Sequence, residues 1–285
     1  MAVHKRSYRG YSGQLTPLWT RFLIVTRYGF ENVFRSKLLT ALFVCCCFFP
    51  FGCAVAIYLN QNVQVLALLN IHTMFDVDGR FFFHFLNGQL GMAFVLTALA
   101  GPGLVSSDLA NNALPLYLCR PFSRVDYVVG KMTILVALLS LITWAPGLIL
   151  FLIQASLAGA SWTIANLWMA GSIFVASGID ILVLGLLSLA LSAWIKRRLA
   201  AGAALLGVFF FGAGFGQAIN AVLSTHIGSL LNVGELMGSV HVALFRVSSR
   251  PPIPADLAWL SLLAICVFCV MLLERKVRAY EVVKG

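Results

Sequence analysis

From residue 38 to the C-terminus, apolar runs of about 20 residues recur with almost no charge inside them. A helix of that length is about as long as the hydrocarbon core of a bilayer is thick, roughly 30 Å. No water is available there to bond backbone N–H and C=O groups, so each run must satisfy its own as a helix. The runs predict six spans, over about 38–59, 81–105, 131–153, 164–193, 199–223 and 255–273. Only 11% of the 285 residues are charged, where a soluble domain carries roughly a quarter. The sequence therefore reads as an all-α integral membrane protein. A net charge of +10 would suggest nucleic acid in a soluble chain. Here the basic residues flank the apolar runs, so anionic lipid headgroups are the expected partner and nucleic acid is not.

The seven cysteines do not form a disulfide framework. Cys45, Cys46, Cys47 and Cys53 share one apolar run, and Cys266 and Cys269 another. Small, soft core residues are the reading, because Cys266-Val-Phe-Cys269 lies in a predicted span without redox or metal context. Residues 1–14 are polar and basic, and no short apolar stretch with a cleavage site follows, so no cleavable signal peptide is expected.

Residues 1–37 read as an N-terminal segment ending in an interfacial helix, 38–273 as the transmembrane domain, and 274–285 as a charged tail. Thr16 followed by Pro17 is a helix-start signal. Leu15, Leu18, Trp19, Phe22, Leu23, Phe30, Val33 and Phe34 then recur at helical spacing, interrupted by Arg21, Arg27, Arg35 and Lys37. A basic amphipathic helix of this kind lies in the membrane interface. Pro50 predicts a kink in the first span, and Pro146-Gly147 fall within the third. Residues 224–254 are apolar but glycine-punctuated, and read as a re-entrant hairpin or surface helix pair packed on protein. With the N-terminus inside, Arg80, Arg246 and Arg250 are the only basic residues in the outer segments. The inner segments hold all the others, including Lys196, Arg197 and Arg198, so both termini are expected in the cytoplasm.

The longest polar interruption with regular chemistry runs from Ser106 to Lys131. Ser106, Ser107 and Asp108 carry oxygens suited to a helix start. Leu109, Leu114, Leu116, Tyr117 and Leu118 follow, and Pro121 after Arg120 ends the segment. Asp108 near the start and Arg120 near the end suit a helix dipole. The stretch reads either as a short capped helix outside the bilayer or as a solvated loop containing a turn of helix.

Asp180 is the only acidic residue in the middle of a predicted span. A charge there is costly unless it meets a partner or a water-filled path. It either lines a substrate path or helix interface, or is a hydrogen-bonded structural carboxyl. His72, Asp76, Asp78 and His84 have side chains that suit a metal, but a solvated loop is the reading taken, and no metal is expected. Gly130-Lys131 does not close a phosphate-binding loop, because Val125 stands where its glycine belongs and Met132 follows the lysine. Gly212, Gly214 and Gly216 suit close helix packing rather than a dinucleotide. No nucleophile–base pairing is apparent, so the chain is not expected to be an enzyme.

The central stretch resembles the membrane subunits of type-2 ABC exporters. In that family an acidic residue leaves the second span, followed by a short leucine-rich helix, a proline, a basic residue and a Gly-Lys that opens the third span. Those positions read Asp108, Leu114-Pro115-Leu116-Tyr117-Leu118, Pro121, Arg124 and Gly130-Lys131 here. The family often has glutamate first and Gly-Thr before the leucines, where this chain has Asp108 and Asn111-Asn112-Ala113. The layout is similar too: an interfacial helix, six spans and a broken segment before the last. The resemblance implies a permease subunit that forms its path as a dimer, with itself or a related subunit, in a plasma membrane (in a bacterium, the inner membrane). It implies a coupling helix in which Leu114, Leu116 and Tyr117 fill a groove of a separate ATPase, with Arg120 and Arg124 at the rim and Asp108 at the start. ATP and Mg would then bind on that ATPase and no cofactor on this chain.

Two other classes remain open from the residues. An ion-gradient-driven carrier would want paired intramembrane charges or an internal repeat, and neither is visible in the sequence. A membrane anchor or assembly subunit would move nothing.

Overall fold

The computed structural model describes residue 17 and residues 20–62, 76–111, 123–249 and 251–276. Ten α-helices and one 3-10 turn account for nearly all of these residues, and no strand occurs among them. Six helical segments are long and apolar enough to cross a membrane. They are α2 (Lys37–Gln61), α3 with α4 (Gly79–Ala100 and Pro102–Ala110), and α5 with α6 (Arg124–Ser140 and Trp144–Ala158). The other three are α7 (Ala160–Trp194), α8 (Arg198–Leu223) and α10 (Ala255–Lys276). The chain is a multi-pass membrane protein.

α7 is the centre of the bundle. It touches α3, α4, α5, α6, α8, α9 (Val233–Leu244) and α10. Its buried face alternates small residues (Ala176, Ser177, Gly185, Ser188, Ala190, Ser192, Ala193) with Ile173, Leu184 and Leu189. Lipid tails are as apolar as leucine, so membrane helices gain little from burying apolar area and much from close van der Waals approach. Small residues permit that approach. α2 and α8 lie at the periphery, with Phe48, Phe51, Phe210, Phe211 and Phe215 exposed.

Prolines shape three of the spans, and each leaves a mark on its neighbours. Pro50 lies inside α2, where it has no N–H to give the Cys46 carbonyl. Pro146 sits in the first turn of α6 and leaves the Ile142 carbonyl bare in the same way, at the break between α5 and α6. A single buried side chain supplies both: the Gln89 amide of α3 donates to the Cys46 carbonyl at 3.1 Å and to the Ile142 carbonyl. Pro102 begins α4. There the Ser192 hydroxyl of α7 inserts into the helical ladder, accepting from the Ser106 N–H at 2.8 Å and donating to the Pro102 carbonyl at 2.8 Å. A hydroxyl in the ladder is one of the recognised causes of a bend.

The sequence places Ser106, Ser107 and Asp108 at a helix start, and the structure corrects this. They lie in the later turns of α4, where the Ser106 and Ser107 hydroxyls donate back to the Pro102 and Gly103 carbonyls. Pro102, four residues earlier, is the true start, so the second span runs on to Ala110. The third span likewise begins at Arg124 rather than at 131, because Ser123 and Asp126 form a reciprocal capping box with both bonds at 3.0 Å.

α1 (Arg21–Phe34) carries the amphipathic pattern expected of the N-terminal helix. It buries Val25, Thr26 and Val33 and leaves Leu23, Ile24, Tyr28 and Phe34 exposed. Thr16, Leu15, Leu18 and Trp19 lie outside the described residues, as does the tail from 277. Before the last span, a 3-10 turn (Ile227–Leu231) and α9 pack on the bundle. A Cβ on Gly212 would lie 2.5 Å from the Leu231 carbonyl oxygen, and one on Gly216 2.5 Å from that of Gly228. Those two glycines admit the turn against α8. Nothing approaches Gly214 within 4 Å.

Candidate functional site

Asp108, near the end of α4, faces α5 across the mouth of the segment that joins them. Its Oδ2 accepts a hydrogen bond from the Tyr127 hydroxyl at 2.8 Å and lies 2.8 Å from Lys131 Nζ. The Asp108 side chain is 16% exposed and that of Lys131 9%, and Lys131 Nζ also stands 5.5 Å from the Tyr127 ring centroid. Tyr127 and Lys131 are four residues apart on one face of α5, so one acid engages both. Breaking such a pair by removing one partner leaves a half-buried charge without compensation. The end of α4 is therefore tied to the N-terminal half of α5.

α1 braces the same helix. The Thr26 hydroxyl donates to the Gly130 carbonyl at 3.1 Å, and a Cβ on Gly130 would lie 3.0 Å from the Phe22 carbonyl oxygen. The adjacent Gly130-Lys131 thus serves two contacts that sequence cannot separate. The glycine lets α1 approach, and the lysine holds Asp108. Of the other residues expected in the coupling segment, Leu114, Leu116, Tyr117 and Arg120 lie outside the described residues. Arg124 opens α5 and is exposed.

A second polar cluster is buried in the bundle. Asp180 of α7 lies 3.0 Å, Oδ1 to Nε2, from His241 of α9, with side chains 1% and 0% exposed. Whichever partner carries it, one proton occupies that contact. Asp180 Oδ2, His241 Nδ1 and the nearby Ser177 hydroxyl have no hydrogen-bond partner among the described residues. The carboxyl predicted to need a partner has one, supplied by the short helix before the last span. The sequence offered a signal for it: His241 is the one titratable residue in the largely apolar stretch 236–245.

Gln89, Ser192 and Tyr127 were not singled out by sequence reasoning either, although a glutamine within an uncharged run is itself a warning. At the far end of the bundle Asp78 caps α3, accepting from the N–H groups of Arg80 and Phe81 at 2.9 and 3.1 Å. His72 lies outside the described residues, and no three His, Cys, Asp or Glu side chains converge among the described ones. No protein-family model matches the chain, and no curated protein matches it in sequence.

Proposed function

We infer that this chain is the permease subunit of an ATP-driven exporter of the type-2 ABC kind, working as a dimer with separate ATPase subunits. The observation that carries the reading is the clamp of Asp108 by Tyr127 and Lys131. ATP hydrolysis takes place on another chain, so its work must enter through a contact stiff enough to transmit a push. Two helices tied together by an ion pair, one of them braced by α1, offer that stiffness on either side of the expected coupling stretch. The end of the bundle where it lies also gathers most of the lysine and arginine, which supports a cytoplasmic side. α1 is then the interfacial helix, and the 3-10 turn with α9 the re-entrant element.

The test is Leu116→Ala with Tyr117→Ala, measured by co-purification with the ATPase and by transport in reconstituted vesicles. Side chains of this size contribute about 1.5–3 kcal/mol each when fully buried, and an interface realises only part of that. Loss of half weakens docking roughly tenfold, with insertion and yield unchanged. Full co-purification and full transport in the double variant would remove the coupling assignment.

The Asp180–His241 pair favours one other reading, an ion-gradient-driven carrier, because it supplies the paired intramembrane groups such a carrier needs. Transport that follows an imposed pH gradient in vesicles without ATP would decide for it. On the ABC reading, Asp180 borders the substrate path through α9, and transport requires ATP.

A further inference from the structure

We propose that α4 is a switched lever: the Ser192 hydroxyl of α7 moves in and out of its first turn, so that the turn is either open or closed. In the structure the hydroxyl is in and the turn is open. It accepts from the Ser106 N–H at 2.8 Å and donates to the Pro102 carbonyl at 2.8 Å. It thus stands in for the direct bond that an α-helix closes between residues four apart. Pro102, Ser106 and Ser192 are all buried.

The closed form strands no donor. With the hydroxyl withdrawn, the Ser106 N–H closes onto the Pro102 carbonyl, and the Ser192 hydroxyl turns to the Ser188 carbonyl on its own helix. Thr97, Thr133, Thr143 and Ser261 already make that bond, four residues back, at 2.7 to 2.8 Å. The Ser106 hydroxyl donates to the Pro102 carbonyl and can do so in either form. Since neither form leaves a buried donor bare, they lie close in free energy, with the minor one populated at about 0.1–10%.

The base of α4 is fixed, and its tip is what moves. Arg198 Nη2 of α8 donates to the Leu99 carbonyl at 3.2 Å, and the Ser188 hydroxyl occupies the place that a side chain on Gly101 would need. From Pro102 to Asn111 is nine residues, about 14 Å along a helix. A swing of about 20° at the base, the size of a sharp kink, carries the tip about 5 Å. That parts Asp108 from Lys131, now 2.8 Å away, so the tie at the tip and the inserted hydroxyl favour the same form. Each therefore biases the other. The hydroxyl belongs to the helix at the centre of the bundle, so a pull on the chain beyond Asn111 reaches that centre through one exchange of bonds. The exchange rests on α4 and α7 alone, and its failure would leave the permease reading standing.

The test is pulsed electron–electron distance measurement between spin labels at positions 111 and 199, both exposed, on the full chain in lipid nanodiscs with its native cysteines replaced. With Ser192 present one distance dominates, that of the open form. Ser192→Ala removes the hydroxyl, lets the turn close, and gives a second distance that differs by up to about 5 Å. Ser192→Gly makes the same removal, should the first variant fail to insert. Asp108→Asn with Lys131→Met keeps Ser192 and raises the share of the second distance about tenfold. An unchanged distance in a folded variant without the hydroxyl, or no second distance once the tip is released, overturns the switch.

Discussion

Gln89→Met is the sharpest probe of how the bundle is held. Methionine is close to glutamine in length and volume, so the substitution removes two donors with little change in packing. What it exposes is the pair of carbonyls, at Cys46 and Ile142, that Pro50 and Pro146 deprive of their usual helical partner. Side-chain hydrogen bonds between membrane helices average about 0.6 kcal/mol, because the separated helices find other partners. Orphaning a buried polar group costs about 1–3 kcal/mol. The second figure governs here, since a proline-bared carbonyl in hydrocarbon has no other donor. Gln89 Oε1 is buried with no partner among the described residues, and deleting it returns part of the loss. The net expectation is about 2 kcal/mol of destabilisation, read by equilibrium unfolding in mixed micelles. The control is Pro50→Ala, which restores an N–H to the Cys46 carbonyl. In that background the cost of Gln89→Met should fall by about half. An equal cost in both backgrounds, or none in either, would refute the account.

Three further outcomes follow from the same contacts. Lys131→Met leaves Asp108 charged and half-sealed, and should cost about 2–4 kcal/mol, whereas Lys131→Met with Asp108→Asn should recover most of it in the same unfolding assay. His241→Leu and Asp180→Asn should each slow transport while the dimer and bound ATPase survive; unchanged transport and yield in both variants would take the pair out of the mechanism. Gly216→Val should separate the 3-10 turn from α8, because even a Cβ meets the Gly228 backbone at 2.5 Å, and a cysteine pair at positions 213 and 230 would report the parting through lost crosslinking.

The spans were legible because the bilayer permits only one kind of solution, and a run of twenty apolar residues announces it. Their interruptions were less so. Pro102 and Gly101 sit inside an apolar run, and whether such a pair ends a helix or only bends it depends on the Ser192 hydroxyl, 90 residues away in sequence. That ambiguity is why Ser106 to Asp108 look like a helix start in the sequence and lie near a helix end in the fold. Asp180 advertised a need for a partner, yet nothing local names His241, 61 positions later. Gly130-Lys131 was visible as a pair but not as two separate contacts, since one faces α1 and the other α4.

The Gln89 amide also carries a timetable. Synthesis delivers Cys46 first, Gln89 43 residues later, and Ile142 53 residues after that. At roughly 5–20 residues per second, each interval lasts about 2–10 s. Until the second helix arrives, the Cys46 carbonyl of the newborn first helix lacks the Gln89 amide. Gln89 then holds one hand free for a third helix not yet made. Such wiring favours assembly of the early segments together over their release one by one into lipid.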